Sequence, residues 1–387
     1  IGAELFVIDD GWQHALGDWF HDPAKFPRGL KPVIDEVRSL GMGFGLWVEI
    51  ESFELASDLY KKHPEWAMRY PGGEPLTRYR ADVNRTSVML NLARRDVAEY
   101  LYRRLHKLIS ETGIQYLKLD MNCFVSSPGW GELPPEQQGR IWIDYVHNLH
   151  WIFERLGADF PELLMENCSS GASRADLAMT RFFGRMNRSD NQDALDVLKL
   201  HEGFTMVNPP RMAGGGCHIS DSMYHVNHRK TPLQFQAFCG MLGSLACGKD
   251  LTQCTEAELQ EIRNYTDLYK KLRHVTNFGD LYRLSSHREH PWAAYESVAP
   301  DRSEAVVFLL GGSMQFADAI PPLKLAGLNP DALYEITCYG EKAPDDNRAR
   351  RFRYPPISGR GAARVGIPVE LFGDFDCRIF HLKERKR

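Results

Sequence analysis

Short apolar runs alternate with longer stretches in which apolar residues recur every three or four positions along the first two-thirds of the chain. The runs Leu5–Ile8, Gly43–Val48, Ser87–Leu90, Tyr116–Asp120 and Leu163–Met165 predict strands. The stretches Leu30–Leu40, Arg95–Glu111, Gln137–Leu156 and Glu256–Val275 predict helices. In the second of these, Val97, Leu101, Leu105, Leu108 and Ile109 fall on one face, with Arg and Lys between them. Gly41-Met42-Gly43 offers a residue suited to positive φ where the first helix must end. Such alternation predicts parallel βαβ units. After Gly279 the texture changes to short β-prone runs at Trp292–Glu296, Glu304–Leu310, Ala332–Cys338, Ala362–Val369 and Arg378–Lys383. Turns such as Gly311-Gly312 and Pro344-Asp345-Asp346 separate them. The expected architecture is an α/β fold, a (β/α)8 TIM-type barrel over residues 1–278 followed by a C-terminal antiparallel β-sandwich over residues 279–387.

The polar residues that end the apolar runs carry the candidate chemistry. Tyr116-Leu117-Lys118-Leu119 stops at Asp120, with Asn122 just beyond. Leu5-Phe6-Val7-Ile8 stops at Asp9-Asp10, and Met165 leads into Glu166-Asn167-Cys168-Ser169-Ser170-Gly171. In a barrel of this class the C-terminal strand ends form the site, so three such endings predict one polar pocket and an enzyme. Asp120 is the leading nucleophile: Lys118, two residues back on the same face, would keep it ionised. A structural salt bridge at the rim is the competing reading. Asp190, in the polar segment Asn187–Ala194, is the second key acid, with a helix N-cap as the alternative. Two carboxylates on separate loops suit glycosyl transfer, one attacking the anomeric carbon and the other handling the proton. Asp9 and Asp10 suit acceptance of sugar hydroxyls. A divalent cation is the rival there, although neither an H-x-H pair nor an acid-rich calcium loop accompanies them. Trp12, Trp19 and Trp47 lie near strand ends, where an aromatic floor suits sugar C–H faces, although any single tryptophan is more often core than platform. His218, His225 and His228 match no zinc spacing, so no metal is assigned.

Composition narrows the class. A net charge of −4 and the lack of a long basic stripe argue against nucleic acid. The arginines at 348, 350, 351 and 353 and the tail Lys383–Arg387 read as solvated segments. No run is apolar enough to span a bilayer, and no signal peptide opens the chain. Eight scattered cysteines without a C-x-x-C pair predict a reduced, cytoplasmic protein, with homo-oligomerisation left open. The chain begins without Met and almost directly in a strand, which suggests a fragment of something longer.

The ordered motifs resemble glycoside hydrolase family 36, the α-galactosidase family related to raffinose and stachyose synthases. They are Asp9-Asp10-Gly11-Trp12, Leu16-Gly17-Asp18-Trp19, Lys25-Phe26-Pro27-Arg28-Gly29-Leu30, Gly45-Leu46-Trp47, His63-Pro64-Glu65-Trp66, Lys118-Leu119-Asp120-Met121-Asn122, Glu166-Asn167-Cys168-Ser169-Ser170-Gly171, Ser189-Asp190-Asn191 and Phe278–Leu284. The resemblance implies a retaining mechanism without metal or organic cofactor, with Asp120 at the nucleophile position and Asp190 at the acid/base position. It implies that Asp9 and Asp10 bind the axial O4 and the O6 of a terminal galactose and that Lys118 and Arg85 hold neighbouring hydroxyls. Trp47, Asn122, Cys168 and Gly171 fall at pocket positions, the last two near the C2 substituent. The substrate implied is an oligosaccharide or glycoconjugate ending in an α-galactosyl residue. Relative to that family, a large N-terminal β-sandwich and the first βα unit of the barrel are missing from the expected plan. The pocket wall departs from it too: Asn187 stands where a tryptophan is usual, Cys123 replaces an arginine, and Gly171-Ala172-Ser173-Arg174-Ala175-Asp176 replaces a triple-glycine run. These departures leave room for α-N-acetylgalactosaminidase, α-galactosyl transglycosylase, or a non-catalytic carbohydrate-binding homologue.

Overall fold

The computed structural model describes residues 1–80, 85–214, 219–220, 227–315, 319–340 and 354–385. Packing divides the chain into two compact units, Ala3–Asn187 and Arg188–Arg387, the latter including Ile1 and Gly2. His218, His225 and the arginines at 348–353 lie outside the described residues.

Strands of the first unit are β1 (Leu5–Ile8), β2 (Gln13–Ala15), β3 (Asp18–His21), β4 (Gly43–Val48), β5 (Ser52–Glu54), β6 (Thr77–Arg80), β7 (Arg85–Met89), β8 (Tyr116–Leu119), β9 (Leu164–Asn167) and β10 (Arg185–Asn187). Five of them form a parallel sheet in the order β1-β4-β8-β9-β10. Phe44, Leu46 and Val48 in β4 are fully buried, as expected of a strand covered on both faces. Gly45 is required there, because a Cβ would sit 2.8 Å from Tyr116 Cβ. Ile8 pairs with Leu46, Val48 with Leu119, and Leu119 with Asn167. The residues that follow these strands therefore leave the sheet at one end.

The helices Lys31–Ser39 and Arg95–Thr112 match the predicted ones. Val97, Leu101, Leu105, Leu108 and Ile109 are buried as their spacing required. Gly41 adopts φ 78° after the first helix, and Gly113, at φ 61°, closes the second in the left-handed conformation. The predicted strand Ser87–Leu90 exists as β7, but it pairs antiparallel with β5 and β6. It belongs to a side sheet because β6 precedes it closely enough for local pairing.

In the second unit, β11 (Ala213–Gly214) precedes the helices Leu233–Gly240 and Glu256–Phe278. The longer helix opens with a capping box between Thr255 and Glu258. Then β12 (Asp280–Ser285), β13 (Trp292–Val298), β14 (Glu304–Gly311), β15 (Leu333–Tyr339), β16 (Ile357–Ser358) and β17 (Cys377–Glu384) form one antiparallel sheet, ordered β12-β13-β14-β17-β15-β16. Alternation along β13 buries both faces. Ala293 and Tyr295 share a core with Phe238, Leu272 and Val275 of the helices, whereas Trp292, Ala294 and Val298 pack with Leu323, Leu325 and Ile367. The helix Glu256–Phe278, which ends at the expected border, packs on this sheet. Ala362–Val369 is not the predicted strand. Gly359–Arg364 is a helix, capped by Ser358 Oγ accepting from Gly361 N at 3.1 Å.

Candidate active site

The strand ends of the first unit gather most of the predicted residues. Asp120 follows β8, its backbone N–H still donating to Val48 O at 2.8 Å. Its carboxylate is buried and receives four N–H donors. Trp47 Nε1 (3.1 Å) and Asn122 Nδ2 (2.9 Å) donate to Oδ2, while Ser170 N (2.9 Å) and Met121 N (2.8 Å) donate to Oδ1. Burial pushes this carboxyl up. The hydrogen bonds from Ser170, Asn122 and Trp47, together with the Lys118 charge, more than reverse that, so it lies below the usual carboxylate value.

The Ser170 donor depends on an unusual backbone. Ser169, Ser170, Gly171 and Ala172 all have positive φ, at 63°, 48°, 75° and 97°. Such runs are costly for residues with a Cβ and persist where surrounding contacts over-determine them. Here the loop is tied below by Asn167 Nδ2 donating to Arg174 O at 2.8 Å, and by the buried Arg174 guanidinium paired with Glu51.

Asp9 and Asp10 are each matched with a base. Lys118 Nζ lies 2.8 Å from Asp9 Oδ2, and Arg85 NH2 lies 2.6 Å from Asp10 Oδ2. Burial draws the Lys118 ammonium down, but Asp9, Cys168 and Glu166 outweigh it and hold its pKa above the usual lysine value. Arg85 also reaches Glu54 Oε1 at 3.1 Å, and Gln13 Nε2 donates to Asp10 Oδ1 at 2.7 Å. A divalent cation at the acid pair would have to displace both bases. A different group, His14, Asp18 and Asp58, has three potential ligand atoms within 4.8 Å of one another. Asp18 there accepts the N–H groups of Asp58 (2.7 Å) and Leu59 (3.0 Å) at the start of a short helix.

Trp12 and Trp19 are core residues. Trp19 stands edge-on to Trp47 at 6.2 Å, and Trp12 Nε1 donates to Trp47 O at 2.8 Å, so both hold Trp47. Asn187, at the end of β10, donates to Cys168 Sγ at 3.1 Å. Sequence reading missed Glu49, which accepts from Asn122 Nδ2 at 2.7 Å and Ser52 Oγ at 2.6 Å. It also missed Glu54, Gln13 and Ser170 as partners of the predicted residues. The usable signal was position: Glu49 follows Trp47 by two residues just beyond β4.

Asp190 belongs to the second unit, exposed on the irregular segment that follows β10. Just ahead of the helix Asp196–Phe204, Asp193 Oδ1 accepts from Leu195 N (3.0 Å) and Asp196 N (2.9 Å).

The chain matches the Melibiase family over residues 1–279 and the glycosyl hydrolase family 36 C-terminal domain over residues 292–382. It belongs to glycoside hydrolase family 36. It is 32% identical over 390 aligned positions to alpha-galactosidase Mel36A of Lactobacillus acidophilus, covering 99% of this chain and 50% of the relative. To alpha-galactosidase AgaA of Geobacillus stearothermophilus it is 33% identical over 353 positions, 89% of this chain and 47% of that one. A solved structure of a GH36 AgaA variant in complex with raffinose superposes with a TM-score of 0.89 at 31% identity, covering 99% of this chain and 51% of that one. That likeness establishes the TIM-type barrel followed by a C-terminal antiparallel domain. The chain spans about half the length of the curated relatives it matches.

Proposed function

We propose that this family 36 chain hydrolyses terminal α-galactosyl residues with net retention, using Asp120 as nucleophile and Asp190 as acid/base. The observation that carries the reading is the Asp120 carboxylate, buried, ionised and met by four N–H donors. In the first step an Asp120 oxygen attacks the anomeric carbon, the bond to the leaving oxygen breaks, and Asp190 protonates that oxygen. The product is a β-linked galactosyl ester on Asp120. In the second step Asp190 takes a proton from water as the water oxygen attacks the same carbon, expelling the carboxylate and restoring the α configuration. The N–H donors that hold Asp120 ionised also make it a good leaving group in this step. Asp9 and Asp10 would accept hydrogen bonds from O4 and O6, with Lys118 and Arg85 beside them. Neither step requires a metal or organic cofactor.

We infer that the substrate is an oligosaccharide or glycoconjugate ending in an α-galactosyl residue. AgaA variants bound to raffinose and to stachyose support that class. Cys123, Cys239 and Cys377 are buried free thiols, which supports a reducing, cytoplasmic compartment. The deciding experiment is trapping with an activated fluorinated α-galactoside followed by peptide mass mapping. A galactosyl ester on Asp120 is expected. Turnover with label on another residue, or inverted product, would overturn the assignment.

A further inference from the structure

Beneath Asp120 lies a second carboxylate that the reaction above does not use. Glu49 is 2% exposed. Its Oε1 accepts from Ser52 Oγ at 2.6 Å and its Oε2 from Asn122 Nδ2 at 2.7 Å. The same Asn122 nitrogen donates to Asp120 Oδ2 at 2.9 Å, and Asn122 Oδ1 accepts from Ser170 Oγ at 2.6 Å. All of these residues lie in the first unit.

The chemistry of the amide fixes its direction. An amide NH2 has two hydrogens, and here each has an anionic acceptor. Turning the amide over would set its oxygen against two carboxylates and its NH2 towards the Ser170 hydroxyl. Glu49 therefore holds the amide in the one orientation that donates to Asp120. Packing alone does not call for an acid at this position. A glutamine of the same shape could accept from Asn122 and donate to Ser52, without the cost of burying an ionisable group.

We propose, on the reading of Asp120 as nucleophile, that Glu49 is a positioning residue that acts through Asn122 to aim Asp120 and places a second negative charge below the anomeric centre. The transition state carries oxocarbenium character, so an anion behind the nucleophile favours it over the neutral ground state. The titratable and charged groups that bear on Glu49 are Asp120, Cys123, Tyr145 and Arg174. Arg78 is nearby, bonded to Asn122 O. Burial first, and then the Asp120 charge, raise the Glu49 carboxyl despite the hydrogen bonds from Ser52 and Asn122. On acidification Glu49 thus takes up its proton before Asp120 does, and activity should fall in two steps.

Glu49→Gln and Glu49→Ala separate charge from position. With an activated aryl α-galactoside, Glu49→Gln is expected to lower kcat about 10-fold at neutral pH, to leave KM nearly unchanged, and to abolish the upper acid step of the pH profile. Glu49→Ala should cost about 100-fold, and its crystal structure should show the Asn122 amide no longer donating to Asp120. Ser52→Ala, which frees only the other Glu49 oxygen, covers the case in which neither variant folds. It should reproduce a weaker, roughly 3-fold loss with the upper step displaced. Wild-type kcat and both acid steps in Glu49→Gln, or an unmoved Asn122 in Glu49→Ala, would overturn the inference. A wild-type chain without turnover would instead reject the galactosidase reading, while the crystallographic comparison still decides whether Glu49 aims Asn122.

Discussion

The two acids assigned to catalysis sit in opposite surroundings. Asp120 is 7% exposed, at the end of a buried strand, and among the described residues its carboxylate is met by N–H groups of Trp47, Met121, Asn122 and Ser170. Asp190 is exposed, on a segment shaped by side-chain-to-backbone contacts such as Ser189 Oγ accepting from Asn191 N at 3.1 Å and Asn191 Oδ1 from Asp193 N at 2.9 Å. The contrast follows from the work each group would do. A nucleophile must stay ionised and aimed, which a donor-rich buried site provides. An acid/base must gain and lose a proton in each cycle, which needs exchange with water. Rigidity belongs to the first role and access to the second.

The largest test of that contrast is Asp120→Ala, expected to lose at least about 1,000-fold on every substrate, equivalent to ~4 kcal/mol. Azide should restore part of the rate with activated substrates and give the β-galactosyl azide. Retention of more than about a tenth of the wild-type rate would sink the nucleophile assignment, since that is a loss of only ~1.4 kcal/mol.

Asp190→Asn should divide substrates where Asp120→Ala does not. Natural α-galactosides with poor leaving groups should slow roughly 1,000-fold, and activated aryl galactosides about 10-fold or less in the first step, because they need no proton. Equal damage to both classes would leave Asp190 with a merely structural part in its loop.

Asp9→Asn should reduce the preference for α-galactoside over α-glucoside by about 100-fold, ~2.7 kcal/mol, if the paired acids read the O4 hydroxyl. An unchanged ratio of kcat/KM for the two sugars removes that role.

Lys118→Met sharpens the electrostatic half of the comparison. The cation helps hold the Asp120 carboxyl below its usual value, so its removal should move the acid limb of kcat/KM to higher pH. The stability arm has a defined sign. A carboxyl depressed in the folded state contributes stability that is complete above its unfolded pKa and disappears as pH falls through the folded value. Acid unfolding of Lys118→Met should therefore begin at higher pH than that of the wild type. The smallest effect expected is that of Gly171→Ala. Its φ of 75° costs a residue with a Cβ about 1–2 kcal/mol, which should show as a lower Tm and looser docking of the Ser170 N–H on Asp120.

Period and termination were legible along the chain. The apolar runs of β1, β4 and β8 and the helical spacing of residues 95–109 encode their own conformations, because alternation and 3.6-residue recurrence are local properties. Polar residues stopping those runs pointed to the rim, and the order of the motifs pointed to the family. Tertiary structure alone decided the rest. Residues 87–89 are β-prone in any setting, and only the nearby β6 sends them to an antiparallel side sheet. Residues 362–364 joined a short helix where a strand was expected, with Ala362 buried in one core with Leu323, Leu325 and Ile367. The partners of Asp120 come from residues 47, 121, 122 and 170, and the left-handed run that delivers the Ser170 N–H has no repeating pattern to reveal it. Glu49 looked like one acid among many until folding buried it against Asn122, since burial and hydrogen-bond direction depend on contacts distant in sequence.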